Sequence, residues 1–195
     1  MKLFYNPPSP YARKVLVLAH ELGLLDRLTL IAVDPWADPP ALIAATPLAK
    51  VPALVTGNGV LLTESTAICE YLLRLAGRWT AEGDDRHEAW LDLAARAGLA
   101  QGLIDASFGL VIERRRPAAT RWSGWTDRLT RATRRALAAV RTGSGGFDLG
   151  DVSLACALAY LDFRLPELGW RDTRPDLAAW LDMVSRRPSM VATRA

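Results

Sequence analysis

The hydroxyl best placed for chemistry is that of Ser9, in the stretch "PPSPYARKV" (residues 7–15), between a short apolar start and a segment of helical periodicity. Pro10 suits the first position of a helix, because it has no N–H to leave unsatisfied and its φ is preset. Ser9 then falls at or near the N-cap. A hydroxyl there can donate to an anion, and the helix N-terminus adds partial positive charge. Serine is also among the favoured caps, so residue type alone is equally served by plain capping. Tyr5 and Tyr11 carry rival hydroxyls, but Tyr5 lies inside the first strand and Tyr11 beyond the turn. The two cysteines, Cys69 and Cys156, lie far apart in apolar helical patterns, without a C-x-x-C. They read as buried thiols of a reducing compartment. His20 and His87 have no partner at ligand spacing, and no metal site is expected.

Such groups need a scaffold, and the composition supports one. The chain has 195 residues, half of them hydrophobic and 23% charged, an ordinary globular balance. No run approaches the ~18–20 apolar residues of a membrane span. The start lacks the basic, apolar, small-residue order of a signal peptide, so a cytoplasmic location is expected. Net charge is only +3. The arginine clusters at 114–116 and 131–135 are interleaved with acids elsewhere, and no alternation of aromatic and basic residues points to base stacking. They read as solvated helix faces, with neither nucleic acid nor membrane as partner.

Residues 2–5 read as a strand, and the stretch from Pro10 to Leu22 as a helix with Gly23 at its end. "LTLIAV" is a second strand, and a short helix covers residues 41–45. "PALV" and "VLL" flank a turn at Gly57-Asn58-Gly59 and form a hairpin. "ESTAICEYLLRLAG" closes this half as a helix. The order βαβαββα, with a helical crossover between parallel strands, is the plan of a thioredoxin-like α/β domain. No strand signal follows. A long helix is predicted over 86–115, with Trp90, Leu93, Ala94, Ala97, Gln101, Ile104 and Phe108 on its inward face. A second covers 122–141, with Trp125, Leu129, Ala132, Ala136 and Val140 inward. The helix in "FDLGDVSLACALAYLDF" is apolar nearly all round and belongs at the centre of an all-α bundle. Asp148 can cap it, with Asp151 at the capping-box position. A last helix runs over 175–187. The expected division is a sheet domain at 1–76, a linker at 77–85 and an all-helical domain at 86–195.

The motifs "SPYARKV", "KVPAL", "ESTAICEYL" and "FDLGDVSLACAL" occur in the order and spacing of cytosolic glutathione transferases, and the chain resembles that superfamily along nearly its whole length. The late stretch "ALAYLDFRLPELGWR" resembles bacterial members. Glutathione is an anionic tripeptide whose thiol has a pKa of ~8.5, and the thiolate is the nucleophile. The resemblance implies a serine-type active site, with Ser9 as the catalytic residue that stabilises the thiolate. It implies a cis bond before Pro52, with the N–H and C=O of Val51 facing the cysteinyl part of glutathione. Lys50 would pair with the glycyl carboxylate. Ser65, opening a helix, would bind the γ-glutamyl carboxylate, and Glu64 would take the ammonium; helix capping with a first-turn acid is the alternative for this pair. Pro52, Asp148 and Asp151 are structural. Thr46 stands where an asparagine is common before the following proline, which leaves that loop's turn chemistry open.

The resemblance implies glutathione as co-substrate, no metal, and a homodimer that conjugates the thiolate to a hydrophobic electrophile in detoxification. The second-substrate pocket would include Tyr11, Phe108, Val111 and Ile112. The alternative is a non-catalytic member acting as an interaction or regulatory module. Thiol exchange is a further reading, disfavoured by serine rather than cysteine at position 9.

Overall fold

The computed structural model describes residues 1–78 and 84–194. Of the expected linker, residues 79–83 lie outside the described residues. The chain divides into two compact units, Met1–Glu82 together with Arg187–Ala195, and Gly83–Arg186.

The first unit is a four-stranded sheet with helices. Its elements are β1 (Lys2–Tyr5), α1 (Pro10–Glu21), β2 (Thr29–Ala32), α2 (Pro40–Ala45), β3 (Ala53–Val55), β4 (Leu61–Leu62) and α3 (Ser65–Leu75). The strand order is β2-β1-β3-β4. β1 and β2 are parallel, with α1 as the crossover, while β1–β3 and β3–β4 are antiparallel. This is the expected thioredoxin-like arrangement. Side chains alternate across the sheet. Phe4 and its cross-strand partner Ala53 pack with Leu42 of α2 on one face, so the next pair, Leu3 and Leu54, faces the other. All but Phe4, at 5% exposure, are fully buried. α1 packs on α3, and its stretch from Lys14 to Ala19 is buried nearly all round. Gly23 stops α1 with φ +66°, the left-handed value that a glycine adopts without cost. In the hairpin, Thr56 Oγ1 accepts from Val60 N at 2.9 Å, which ties the turn shut.

One more helix belongs to this unit. The helix predicted over 175–187 ends sooner, as α8 (Pro175–Val184), and a short helix that was not predicted, α9 (Pro188–Ala192), follows and packs on α1. The break falls where Pro188 lacks a backbone N–H for the helix to use.

The second unit is all-helical: α4 (Asp84–Arg115), α5 (Ser123–Ala139), α6 (Leu149–Arg164), the short α7 (Trp170–Thr173), and α8. α4 packs against both α5 and α6. α6 is the core helix, with every residue from Leu149 to Leu158 buried. The inward face of α4 includes the predicted Ile104, which is fully buried, but otherwise differs from the predicted one. Arg96, Ala100, Leu103, Ser107 and Leu110 are buried, whereas Trp90 and Ala94 are exposed. Apolar periodicity misses this face because two of its members are polar. Ser107 satisfies its hydroxyl on the Leu103 carbonyl at 2.6 Å, and Arg96 is held by carboxylates. α5 likewise buries Leu129, Thr133 and Leu137, while Trp125 remains exposed and stacks on Trp122.

Candidate functional site

The sheet order brings three separate motifs to one end. β1 runs out at Tyr5 toward Ser9. β3 is antiparallel to it and starts at Ala53, opposite Phe4, so Val51 lies just before that start, beside the end of β1. β4 is antiparallel to β3 in turn, with Leu62 opposite Leu54, so its exit to Glu64 and Ser65 emerges at the same end. Ser9, Lys50, Val51, Glu64 and Ser65 all gather there.

Ser9 is the N-cap of α1. Its Oγ accepts from Ala12 N at 3.2 Å, and its carbonyl accepts from Arg13 N at 2.9 Å. The cap bond occupies one acceptor lone pair and leaves the hydroxyl hydrogen to be donated elsewhere. Capping and donation to an anion are therefore compatible at this residue. The side chain is half-buried, directly over the positive end of a helix of 12 residues. Tyr5 ends β1, and Tyr11 occupies the second position of α1.

The Val51–Pro52 bond is cis, as the resemblance implied. Pro52 is buried, Val51 packs against the Phe4–Leu42–Ala53 core, and Lys50 is exposed. Thr46 supplies the turn chemistry that its replacement of asparagine left open. It is 1% exposed, its Oγ1 accepts from Leu48 N at 3.4 Å, and its carbonyl accepts from Ala49 N at 3.2 Å.

Neither side chain of the Glu64–Ser65 pair caps α3. Glu64 holds the N-cap position without a side-chain hydrogen bond and is exposed. Ser65 is 2% exposed, yet its Oγ has no hydrogen-bond partner. A buried hydroxyl left unsatisfied costs about 1–3 kcal/mol. Here it lies at the positive end of a helix of 11 residues, where an anion binds most readily.

A residue that the motifs did not single out also reaches this end. Lys14, on α1, is 1% exposed, and its Nζ donates to Thr66 Oγ1 at 3.2 Å. The sequence signal was a lysine leading directly into the apolar run "VLVLA".

In the helical unit, Asp148 caps α6 as expected, with Oδ1 accepting from Asp151 N at 3.0 Å. Arg96 donates to both its oxygens, at 3.0 and 2.5 Å, and to Asp92 at 2.7 Å. Asp151 takes its main backbone bond from Gly143 N, at 2.8 Å, rather than closing the box on the cap alone. Aspartate is a methylene shorter than the glutamate of a capping box, and the cap's own N–H is shared with the Gly146 carbonyl at 3.1 Å. Burial is the chief reason that the carboxyl of Asp151 titrates above its ordinary value. Phe108 and Ile112, one turn apart on α4, are half-buried, and Val111 is buried. Cys69 and Cys156 are buried and form no disulfide. Among the described residues no group of His, Cys, Asp and Glu could hold a metal ion, and no helix is long and apolar enough to cross a membrane.

A thioredoxin-like sheet unit with two helix N-termini at one sheet end, that of α3 without a side-chain cap, followed by an all-α unit built on a capped central helix, defines the class of the protein. A family model described as "Glutathione S-transferase, N-terminal domain" matches residues 8–75, and "Glutathione S-transferase, C-terminal domain" matches 123–182. A glutathione transferase family member from Pseudomonas fluorescens Pf-5, solved with bound glutathione, is 41% identical; the match covers 99% of this chain and 98% of that one, with a TM-score of 0.88. A glutathione S-transferase from Methylobacterium radiotolerans, solved in complex with glutathione sulfonate, is 30% identical over 100% and 95% of the two chains, with a TM-score of 0.86. The uncharacterized GST-like protein YibF of Escherichia coli K12 is 29% identical over 99% of this chain and 98% of its own length. The chain belongs to the glutathione S-transferase family.

Proposed function

We propose that the protein is a glutathione transferase that joins the thiolate of reduced glutathione to a hydrophobic electrophile. The observation that carries this reading is the partnerless Oγ of Ser65, buried at the N-terminus of α3. It fits a donor waiting for the γ-glutamyl carboxylate. The two relatives solved with glutathione or its sulfonate support the choice of ligand.

In this reading Ser9 donates its hydroxyl hydrogen to the thiolate, and the N-terminus of α1 adds positive potential. Each unit by which the thiol pKa falls needs ~1.4 kcal/mol of preferential interaction with S⁻. Val51 offers its backbone N–H and C=O to the cysteinyl part, Lys50 pairs with the glycyl carboxylate, and Glu64 takes the ammonium. The sulfur attacks an electrophilic carbon, a C–S bond forms, and the leaving group departs with the electron pair of the bond that breaks. Tyr11, Phe108, Val111 and Ile112 are proposed to contact the electrophile. The reading includes a cytoplasmic homodimer, which sedimentation would test; Trp90, Leu91 and Leu99 on the first half of α4 are exposed apolar residues that a second copy would cover.

The test is conjugation of glutathione to a chlorinated nitroaromatic, followed by its absorbance, in the wild type and in Ser9→Ala. Turnover that falls in the variant supports the reading. Undiminished turnover removes Ser9 from the mechanism. Glutathione binding without turnover on a panel of electrophiles supports the non-catalytic, interaction-module alternative.

A further inference from the structure

We infer that Lys14 is a positioning residue for the γ-glutamyl carboxylate, acting through the first turn of α3. This rests on the glutathione reading above and adds a residue to it.

A lysine is almost never fully buried unless it is paired. Lys14 is 1% exposed, and its ammonium is anchored 3.2 Å from the hydroxyl of Thr66, 52 residues away in sequence. Thr66 is the second residue of α3. The contact therefore places a full positive charge within one side chain of a helix N-terminus, which already carries about half a positive charge. Charge complementarity to the helix alone calls for an acid at that place. A cation there has the wrong sign for the helix and the right sign for an anion bound to it.

Two further features point the same way. Ser65, the preceding residue, holds its buried Oγ without a partner, so the first turn has a donor to spare. Glu64, the acid at the N-cap, is exposed and makes no cap bond, so the turn keeps its N–H groups for another acceptor. Thr66, by accepting from Lys14, must direct its own hydrogen elsewhere. One helix, α1, then supplies both ends of the site: Ser9 at its cap for the sulfur, and Lys14 in its second turn for the carboxylate end.

The experiment compares two probes by calorimetry: glutathione, and 4-aminobutyryl-cysteinylglycine, which is glutathione without the γ-glutamyl carboxylate. The preference for glutathione over this probe is measured in the wild type, Lys14→Met, Lys14→Arg and Thr66→Val. The preference should fall about tenfold in Lys14→Met and be largely restored in Lys14→Arg, as for loss and return of a charged contact. Thr66→Val should lower it by a smaller factor, about threefold. A merely structural role would weaken both probes together, and an unchanged preference in Lys14→Met overturns the inference while leaving the glutathione reading intact. Should Lys14→Met fail to fold, an unchanged preference in Thr66→Val overturns it equally. A wild type that binds neither probe overturns the glutathione reading itself, and this inference with it.

Discussion

Arg187 grips Glu21 with two parallel bonds, from Nε to Oε1 at 3.0 Å and from Nη2 to Oε2 at 2.6 Å, across 166 residues of chain. Ser189 Oγ donates to the same carboxylate. Arg13 reaches the same segment from α1, donating to the Met190 carbonyl at 3.1 Å and to Thr193 Oγ1 at 3.4 Å. With Ser189 fully buried and Met190 at 1% exposure, α9 is a built part of the sheet unit.

The clamp has a pH signature. The Arg187 hydrogen bond, more than any other influence, holds the carboxyl of Glu21 below its ordinary value of 4.5. A depressed carboxylate stabilises the fold above its unfolded pKa, and that stabilisation is lost as pH falls through the lower folded value. Glu21→Gln should therefore cost about 1 kcal/mol in urea unfolding at pH 7. The gap between variant and wild type should close progressively below pH 4.5. A gap that is constant from pH 7 to pH 3 would show that the charge is not involved.

Ser9→Ala should separate the two uses of one hydroxyl. Loss of the acceptor for Ala12 N should cost about 1 kcal/mol of stability. If the hydroxyl also donates to sulfur, the thiol pKa of bound glutathione, read from thiolate absorbance, should rise by about one unit. A pKa that stays put while stability falls would leave Ser9 a cap alone.

Ser65→Ala should behave in the opposite way. Its hydroxyl has no partner, so its removal should leave the melting temperature of the ligand-free protein unchanged or slightly raised. Glutathione affinity should fall by roughly tenfold, as for one hydrogen bond to a charged group. A clear loss of ligand-free stability would contradict the site drawn at α3.

The two aspartates of α6 should differ. Asp151→Ala should cost roughly 1 kcal/mol, because Gly143 N loses its acceptor while the backbone N–H of residue 151 still donates to Asp148. Asp148→Ala removes the cap bond from Asp151 N and also the bidentate partner of Arg96, which is 8% exposed, so its cost should reach about 3 kcal/mol. Gly150→Ala tests the same packing from the other side. Its Cβ would lie 2.4 Å from Arg96 Nη1, so the guanidinium must shift off its carboxylates. Denaturant midpoints of the three variants decide the order, and equal midpoints for Asp148→Ala and Asp151→Ala would remove Arg96 from the account.

Local chemistry made much of this readable in the residues. Pro10 and Gly23 bracket α1, Gly57 to Gly59 turn the hairpin, and Asp148 opens α6, because each acts on the backbone within a few positions of itself. The order βαβαββα and the change to helix alone also followed from spacing. The misread parts were those in which a polar residue faces inward. Arg96 and Ser107 shifted part of the predicted face of α4, since apolar periodicity does not register a charge or hydroxyl that finds a partner, and Thr133 is buried on α5 beside the correctly expected Leu129.

By itself, then, the sequence determined the elements, the caps, the two-part plan and the four motifs, all of which are short-range or periodic properties. Only the tertiary structure decided that Ser9, Val51 and Ser65 share one end of the sheet, because that follows from strand order and direction. Only there does Lys14 meet Thr66, and Glu21 meet Arg187. Such contacts join residues far apart in the chain, and no local pattern encodes which buried charge will find which partner once the helices pack.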